Sequence, residues 1–164
     1  MNKPQIKIVL VDYQNSQQGS DLVFLLDSYA RDPMGGGEPL SQFVKDNLLS
    51  ELSKRTFGLS IIVYVDDQPA GLLNAFEGFS TFACKPLFNV HDIIVLEQFR
   101  GLQLSQMLLQ TLEKIALEKG CCKITLEVLE GNSIAQNAYR KAGFAGYELD
   151  PQMGKAMFWQ KKLI

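Results

Sequence analysis

Residues 95–109, V-L-E-Q-F-R-G-L-Q-L-S-Q-M-L-L, read as a strand end that enters a helix through Arg100-Gly101. The first amides of a helix have no partners within it, and the helix dipole favours an anion there by about 0.3–1 kcal/mol when exposed. A pyrophosphate is a guest that such a turn can hold. Glycine lets a ligand approach backbone without meeting a Cβ. Here Gly101 supplies one such position, whereas Gln103 and Ser105, alternating with Leu102 and Leu104, stand where further small residues would help. Their amides remain, and Ser105 adds a hydroxyl donor. The alternative is an ordinary helix start.

A second stretch, E-G-N-S-I-A-Q-N-A-Y-R-K-A-G-F over 130–144, carries more information. Ser133 and Gln136 fit a capping box, S-x-x-Q, which predicts that the helix caps itself and leaves Asn132 to a ligand. Asn132, Ala135 and Tyr139 fall along one stripe of a helix. A polar anchor, a small residue and a phenol in a row suit an extended ligand lying beside the helix. The alternative is a core tyrosine and a turn asparagine.

Both turns need strands that end where they begin. Apolar spacing predicts a strand at 6–11, a helix at 21–31, and a break through Asp32-Pro33-Met34-Gly35-Gly36-Gly37-Glu38-Pro39. A helix at 40–55 follows, then strands at 59–65 and 70–79 about the turn Asp66-Asp67-Gln68-Pro69, and a strand at 88–96. An amphipathic helix at 101–119 ends at Gly120, a strand spans 123–129, and a helix at 133–142 ends at Gly143. Short strands near 147–149 and 155–161 predict a closing hairpin. The strand–helix–strand passage makes 88–96 and 123–129 parallel neighbours. Ligands on open sheets gather beyond the carboxyl ends of such strands, where both turns lie.

At 164 residues, 46% hydrophobic and 21% charged, the chain reads as one globular domain over 1–164. A net charge of -2 gives no footprint for nucleic acid. Cys84, Cys121 and Cys122 make no disulfide framework and fit reduced thiols in a cytoplasmic protein. Neither a signal peptide nor a membrane span is expected.

Residues 89–144 resemble the GNAT superfamily of acetyl-CoA-dependent N-acetyltransferases. Asp92-Ile93-Ile94-Val95 followed by Gln98-Phe99-Arg100-Gly101 resembles the family's cofactor motif, and Asn132-x-x-Ala135, Tyr139 and Gly143-Phe144 resemble the motif after it. Against the family's pyrophosphate loop, Gln103 replaces the first motif glycine and Ser105 the last small residue. The resemblance implies a mixed α/β (α+β) acyltransferase fold: a mostly antiparallel sheet, a central splayed parallel strand pair and flanking helices. It implies acetyl-CoA as acyl donor, no metal, a homodimer, and a small-molecule primary amine as acceptor, with a peptide or protein N-terminus as the main alternative.

The same resemblance implies roles. Backbone groups of Ile93, Ile94 and Val95 would hold the pantetheine arm and the thioester, one amide facing the oxyanion. Arg100, Gly101, Leu102, Gln103, Leu104 and Ser105 would cradle the pyrophosphate, with Asn132, Ala135 and Tyr139 along the cofactor. Tyr139 would protonate the departing thiolate; a phenol near pKa 10 stays protonated where a thiol of about 8.5 is released. Candidate bases are His91, Asp92 and Glu127. His91 is the only histidine, the side-chain type suited to taking a proton near neutral pH. Strand alternation predicts that Asp92 faces away from His91. Glu127 is expected mid-strand in T-L-E-V-L, where a carboxylate must be paired, solvated or shifted. The glycines at 35–37 are expected in the acceptor wall, Phe76, Phe79, Phe82 and Phe88 mostly in core, and Trp159 in core or interface. Two rival readings are a non-catalytic CoA-binding domain, which Gln103 and Ser105 motivate, and a dinucleotide-binding domain, which lacks the G-x-G-x-x-G run.

Overall fold

The computed structural model describes residues 3–163. The chain divides into two compact units on either side of Leu126 and Glu127. The first holds β1 (Ile6–Leu10), α1 (Ser16–Arg31), α2 (Gln42–Ser53), β2 (Gly58–Val65), β3 (Gln68–Ser80), β4 (Lys85–Val95), α3 (Leu104–Glu118) and β5 (Ile124–Leu126). The strands lie in sequence order in one sheet. Every neighbouring pair is antiparallel except β4 and β5, which are parallel as the strand–helix–strand passage requires.

Ile61, Ile62 and Val63 are successive residues of β2 and all fully buried, so both faces of the sheet are covered. On one face Ile62 and Leu72 pack with Leu22 and Leu25 of α1 and Leu52 of α2. On the other lies α3, whose Leu104, Leu108 and Leu112 recur at helical spacing and are buried. The α1 face also holds a buried carboxylate: Asp21 accepts from the Tyr64 hydroxyl at 2.8 Å and from Gln17 at 3.0 Å. Burial first, and the Asp21 contact second, push the Tyr64 phenol far above its ordinary range, so it stays a donor.

Element ends depart from the expected ones for local reasons. α1 starts ahead of residue 21 because Asn15 caps it, its side chain accepting from the Gln18 amide at 3.1 Å. α3 begins at Leu104, not at 101, and β5 stops at Leu126, short of 129.

The second unit contains α4 (Ser133–Lys141) and a 3-10 turn at Pro151–Met153. The expected closing hairpin reduces to a single antiparallel bridge, Glu148 to Lys155. Asp150 caps the 3-10 turn, accepting from the Gln152 amide at 2.9 Å, which takes the chain out of an extended path. Two short strands without a packed face are marginal in any case. Trp159, expected in core or interface, is 79% exposed.

Candidate active site

β4 carries most of the chemistry. Its parallel pairing to β5 runs from Phe88 opposite Ile124 to Val90 opposite Leu126 and ends there, while β4 continues to Val95. Beyond Val90 no described strand pairs with that edge of β4. The Ile94 carbonyl faces β3, close against Gly71, where a Cβ would lie 2.7 Å from it. The Leu96 amide also donates to β3, to the Ala70 carbonyl at 2.9 Å. Alternation then turns the backbone groups of Ile93 and Val95 to the opposite edge, which β5 does not reach. Of the three backbone positions expected to meet an acyl-pantetheine arm, Ile93 and Val95 face the open edge and Ile94 does not. Glycine at 71 is what allows that close approach of β3 to β4.

A register shift between β3 and β4 corrects the expected alternation of side chains. Asn74 pairs with Asp92 and Ala75 with Val90, so His91 is an extra residue in a bulge. The His91 ring stands edge-on to Phe76, centroids 5.6 Å apart, and Asp92 accepts from the Asn74 side-chain amide at 3.0 Å. Asn74 and Phe76 are two apart on β3 and share a face, so His91 and Asp92 do too. His91 is exposed and Asp92 partly buried. Glu127 is neither mid-strand nor buried: it follows the end of β5 and is exposed.

Beyond β4, a 3-10 turn at Glu97–Phe99 leads through Arg100 to Gly101, whose φ is +87°. Gln103 then takes a left-handed φ of +60°, a conformation that favours glycine. The chain keeps a glycine-type backbone at the position where the family's motif has glycine, with glutamine in place. Gln103 makes no side-chain cap to α3, so the first amides of that helix keep their capacity for a ligand. The open β4 edge and this uncapped terminus fit a ligand that carries amides at one end and phosphates at the other. Arg100 lies 3.8 Å from the Asp32 carboxylate, and both side chains are partly exposed. An exposed pair of this kind is worth at most about 1 kcal/mol, so an anionic ligand can displace it. Gln103→Gly should raise stability by about 1 kcal/mol by removing the left-handed strain, a Tm gain of about 2–4 °C in a scanning calorimeter.

In the second unit Asn132 is itself the N-cap of α4, its side-chain oxygen accepting from the Ala135 amide at 3.1 Å. The expected capping box is not formed: Gln136 donates instead to the carbonyls of Leu129 and Glu130, at 3.2 and 2.7 Å. The Asn132 oxygen is thus partly committed to the helix, while its NH2 takes no part in the cap. Tyr139 and Ala135 are half-buried, and the Tyr139 ring meets Phe144 edge-on at 6.1 Å.

The loop expected in an acceptor wall follows α1. A Cβ at Gly35 would lie 1.9 Å from the Tyr29 carbonyl, so only glycine fits there. Of the aromatic residues around the β3–β4 connection, Phe88 is core whereas Phe79 and Phe82 are exposed. Among the described residues no group of three or more His, Cys, Asp or Glu is placed to hold a metal ion, and no helix is long and apolar enough to cross a membrane. What sequence reasoning missed here was polar: Ser60 and Asn74, buried in mid-sheet.

Comparison with known proteins bears on the family and the fold. Residues 22–144 match the model of the acetyltransferase (GNAT) family. A thialysine N-epsilon-acetyltransferase of Mus musculus is 32% identical over 65 residues, a stretch covering 40% of this chain and only 38% of that protein's length. A probable acetyltransferase of known structure superposes with a TM-score of 0.80 at 20% identity, over 95% of this chain and 98% of its own. An aminoglycoside N-acetyltransferase in complex with CoA superposes with a TM-score of 0.74 at 17% identity, over 98% and 97% of the two chains. At these identities the structural likenesses show the fold.

Proposed function

Because the chain belongs to the acetyltransferase (GNAT) family, we propose that it moves acetyl from acetyl-CoA to a primary amine of a small molecule. The observation that carries this reading is the open edge of β4, with Ile93 and Val95 turned toward it, running into an uncapped α3 terminus. The edge suits the amides of a pantetheine arm, and the terminus suits its phosphates. The thioester needs no activation by a protein nucleophile; CoA supplies a good leaving group when bound.

This chain's residues would then act as follows. Arg100 and the amides at 101–105 hold the pyrophosphate, at the cost of the weak Asp32 contact. An amide of Ile93 or Val95 faces the oxygen that gains charge as the amine attacks the acyl carbon. A C–N bond forms, the C–S bond breaks, and the amine's proton passes to His91 or Glu127, directly or through water. Tyr139 gives its proton to the thiolate. Asn132 and Ala135, with Tyr139, serve the cofactor on the strength of the family motif they match.

Several relatives act on amines: their names include aminoglycoside and thialysine acetyltransferases. Both are cationic small molecules, whereas another structural neighbour is a ribosomal-protein-alanine N-acetyltransferase, at a TM-score of 0.66 and 18% identity, so a peptide N-terminus is the second acceptor class to assay. The family resemblance also supports a homodimer, which light scattering after size exclusion tests.

Calorimetric titration with acetyl-CoA tests the reading. Micromolar binding is expected, weakened about tenfold in Arg100→Ala by loss of one charged contact to phosphate. No binding by folded protein would mean that Gln103 and Ser105 close the cradle, and the acetyl-transfer reading would fall. Binding without thiol release across thialysine, lysine and sisomicin would point to a CoA-binding domain without turnover.

A further inference from the structure

The turn after α1 is built around Asp32. Its amide donates to the Tyr29 carbonyl at 3.0 Å, and its carbonyl accepts from the Gly35 and Gly37 amides at 2.8 and 3.1 Å. One carboxylate oxygen, Oδ1, accepts from the Met34 amide at 2.8 Å. The Glu38 amide closes the loop on the Ala30 carbonyl at 3.0 Å. These bonds fix the carboxylate as well as the loop. With Oδ1 committed, Oδ2 is held in one direction, and it lies 3.8 Å from a guanidinium nitrogen of Arg100.

Arg100 belongs to a different part of the chain. Its amide closes the 3-10 turn on the Glu97 carbonyl at 3.1 Å, and Gly101 and the uncapped start of α3 follow it. One ion pair therefore joins the loop at 32–38 to the turn that suits phosphates. An exposed pair ordinarily gains little, because two side chains must be ordered to make it. Here the turn has already ordered the aspartate, so only the arginine loses freedom. Its place matters as much as its strength. A carboxylate at a phosphate turn holds the very cation that an anionic ligand needs, and its own charge opposes that ligand. A turn that served affinity alone would present no such group.

We propose that Asp32 is a resident competitor for the pyrophosphate of acetyl-CoA. In the cofactor-free protein it occupies Arg100 and ties the 32–38 loop to the phosphate turn. When Arg100 turns to the phosphates, Asp32 and its loop are released. The linkage is reciprocal: what Asp32 takes from cofactor affinity is the restraint that the loop loses on binding. The inference rests on the acetyl-CoA reading and deepens it, by naming a residue that sets cofactor affinity and couples it to a loop elsewhere in the chain.

The test titrates acetyl-CoA by calorimetry into the full chain as wild type, Asp32→Asn, Arg100→Ala and the double variant. Asparagine keeps an Oδ1 acceptor for the Met34 amide, so the turn should persist. Asp32→Asn should tighten binding about threefold, the scale of an exposed ion pair. In the Arg100→Ala background the same change should gain less than about 1.5-fold, since only screened repulsion remains to be removed. An equal gain in both backgrounds would mean that the carboxylate merely repels phosphate, and the proposal fails; no gain in the wild-type background sinks it too. Hydrogen exchange read by mass spectrometry follows the loop. Without cofactor, peptides covering 32–38 should exchange faster in Asp32→Asn and in Arg100→Ala than in the wild type, and saturating acetyl-CoA should bring the wild type toward the variants. If both variants exchange like the wild type, the pair ties nothing and the proposal is overturned. A folded wild type that does not bind acetyl-CoA overturns instead the reading on which the proposal rests, and the proposal with it.

Discussion

Phe88→Ala should remove about 3–5 kcal/mol of folding stability, the range for emptying a buried phenylalanine site. Phe88 is 1% exposed and sits where the parallel pair begins, opposite Ile124 on β5 and Glu77 on β3. The Lys119 ammonium lies 5.9 Å from its ring centroid and bonds Glu77 at 2.8 Å, so the end of α3 is tied to the same place. Stabilities of ordinary domains are about 5–15 kcal/mol, so the loss is a large fraction of the whole. For a chain of this size it corresponds to a Tm fall of about 6–20 °C, readable by calorimetry. Phe88→Leu, which keeps most of the volume, should cost under about 1.5 kcal/mol. The pair of variants separates burial from simple tolerance: if alanine and leucine melt alike, the ring does not anchor the strand pair. The loss has a functional side, because the pairing that starts at Phe88 determines where β4 and β5 part.

The order of elements through α4 and the parallel pair were legible because they depend on apolar runs and on the length of a crossover, both of which sequence carries plainly. Ends were less legible, and for an identifiable reason: they depend on single caps. Asn15 extends α1, and Asn132 rather than Ser133 caps α4. A motif such as S-x-x-Q names two residues able to cap but not which of the neighbouring side chains reaches first. The bulge at His91 was not legible at all. N-V-H-D-I-I-V contains no glycine or proline to mark it, and the extra residue is defined only by how β3 pairs. That one residue reverses the expected relation of His91 and Asp92 and brings both to one face. Ser60 and Asn74 were hidden differently. A polar residue in a strand ordinarily reads as solvent-facing, and only cover on both faces of the sheet shows that these two are buried. Gln103 shows the converse: a departure from motif composition at a residue whose backbone is left-handed, a conformation that favours glycine.

Tyr139→Phe is expected to lower kcat about a hundredfold while acetyl-CoA affinity changes less than about threefold, within the range for loss of one general acid. The substitution takes away the O–H and keeps the ring. The ring that meets Phe144 edge-on at 6.1 Å remains, and α4 keeps its Asn132 cap, so its local structure should persist. A loss confined to the chemical step is therefore attributable to the proton. An ordinary phenol suits that task by its acidity, being somewhat weaker as an acid than a thiol and protonated at neutral pH. Transfer to the thiolate as the C–S bond breaks then needs little driving force. Steady-state kinetics with a varied acceptor, beside calorimetry with acetyl-CoA, separates the two effects. A variant that keeps kcat would show that the thiolate takes its proton from another source. A variant that loses acetyl-CoA affinity and kcat together would make the hydroxyl a binding group, which the half-buried position of Tyr139 also permits. The expected split, with kcat falling and affinity held, would distinguish a proton donor from both.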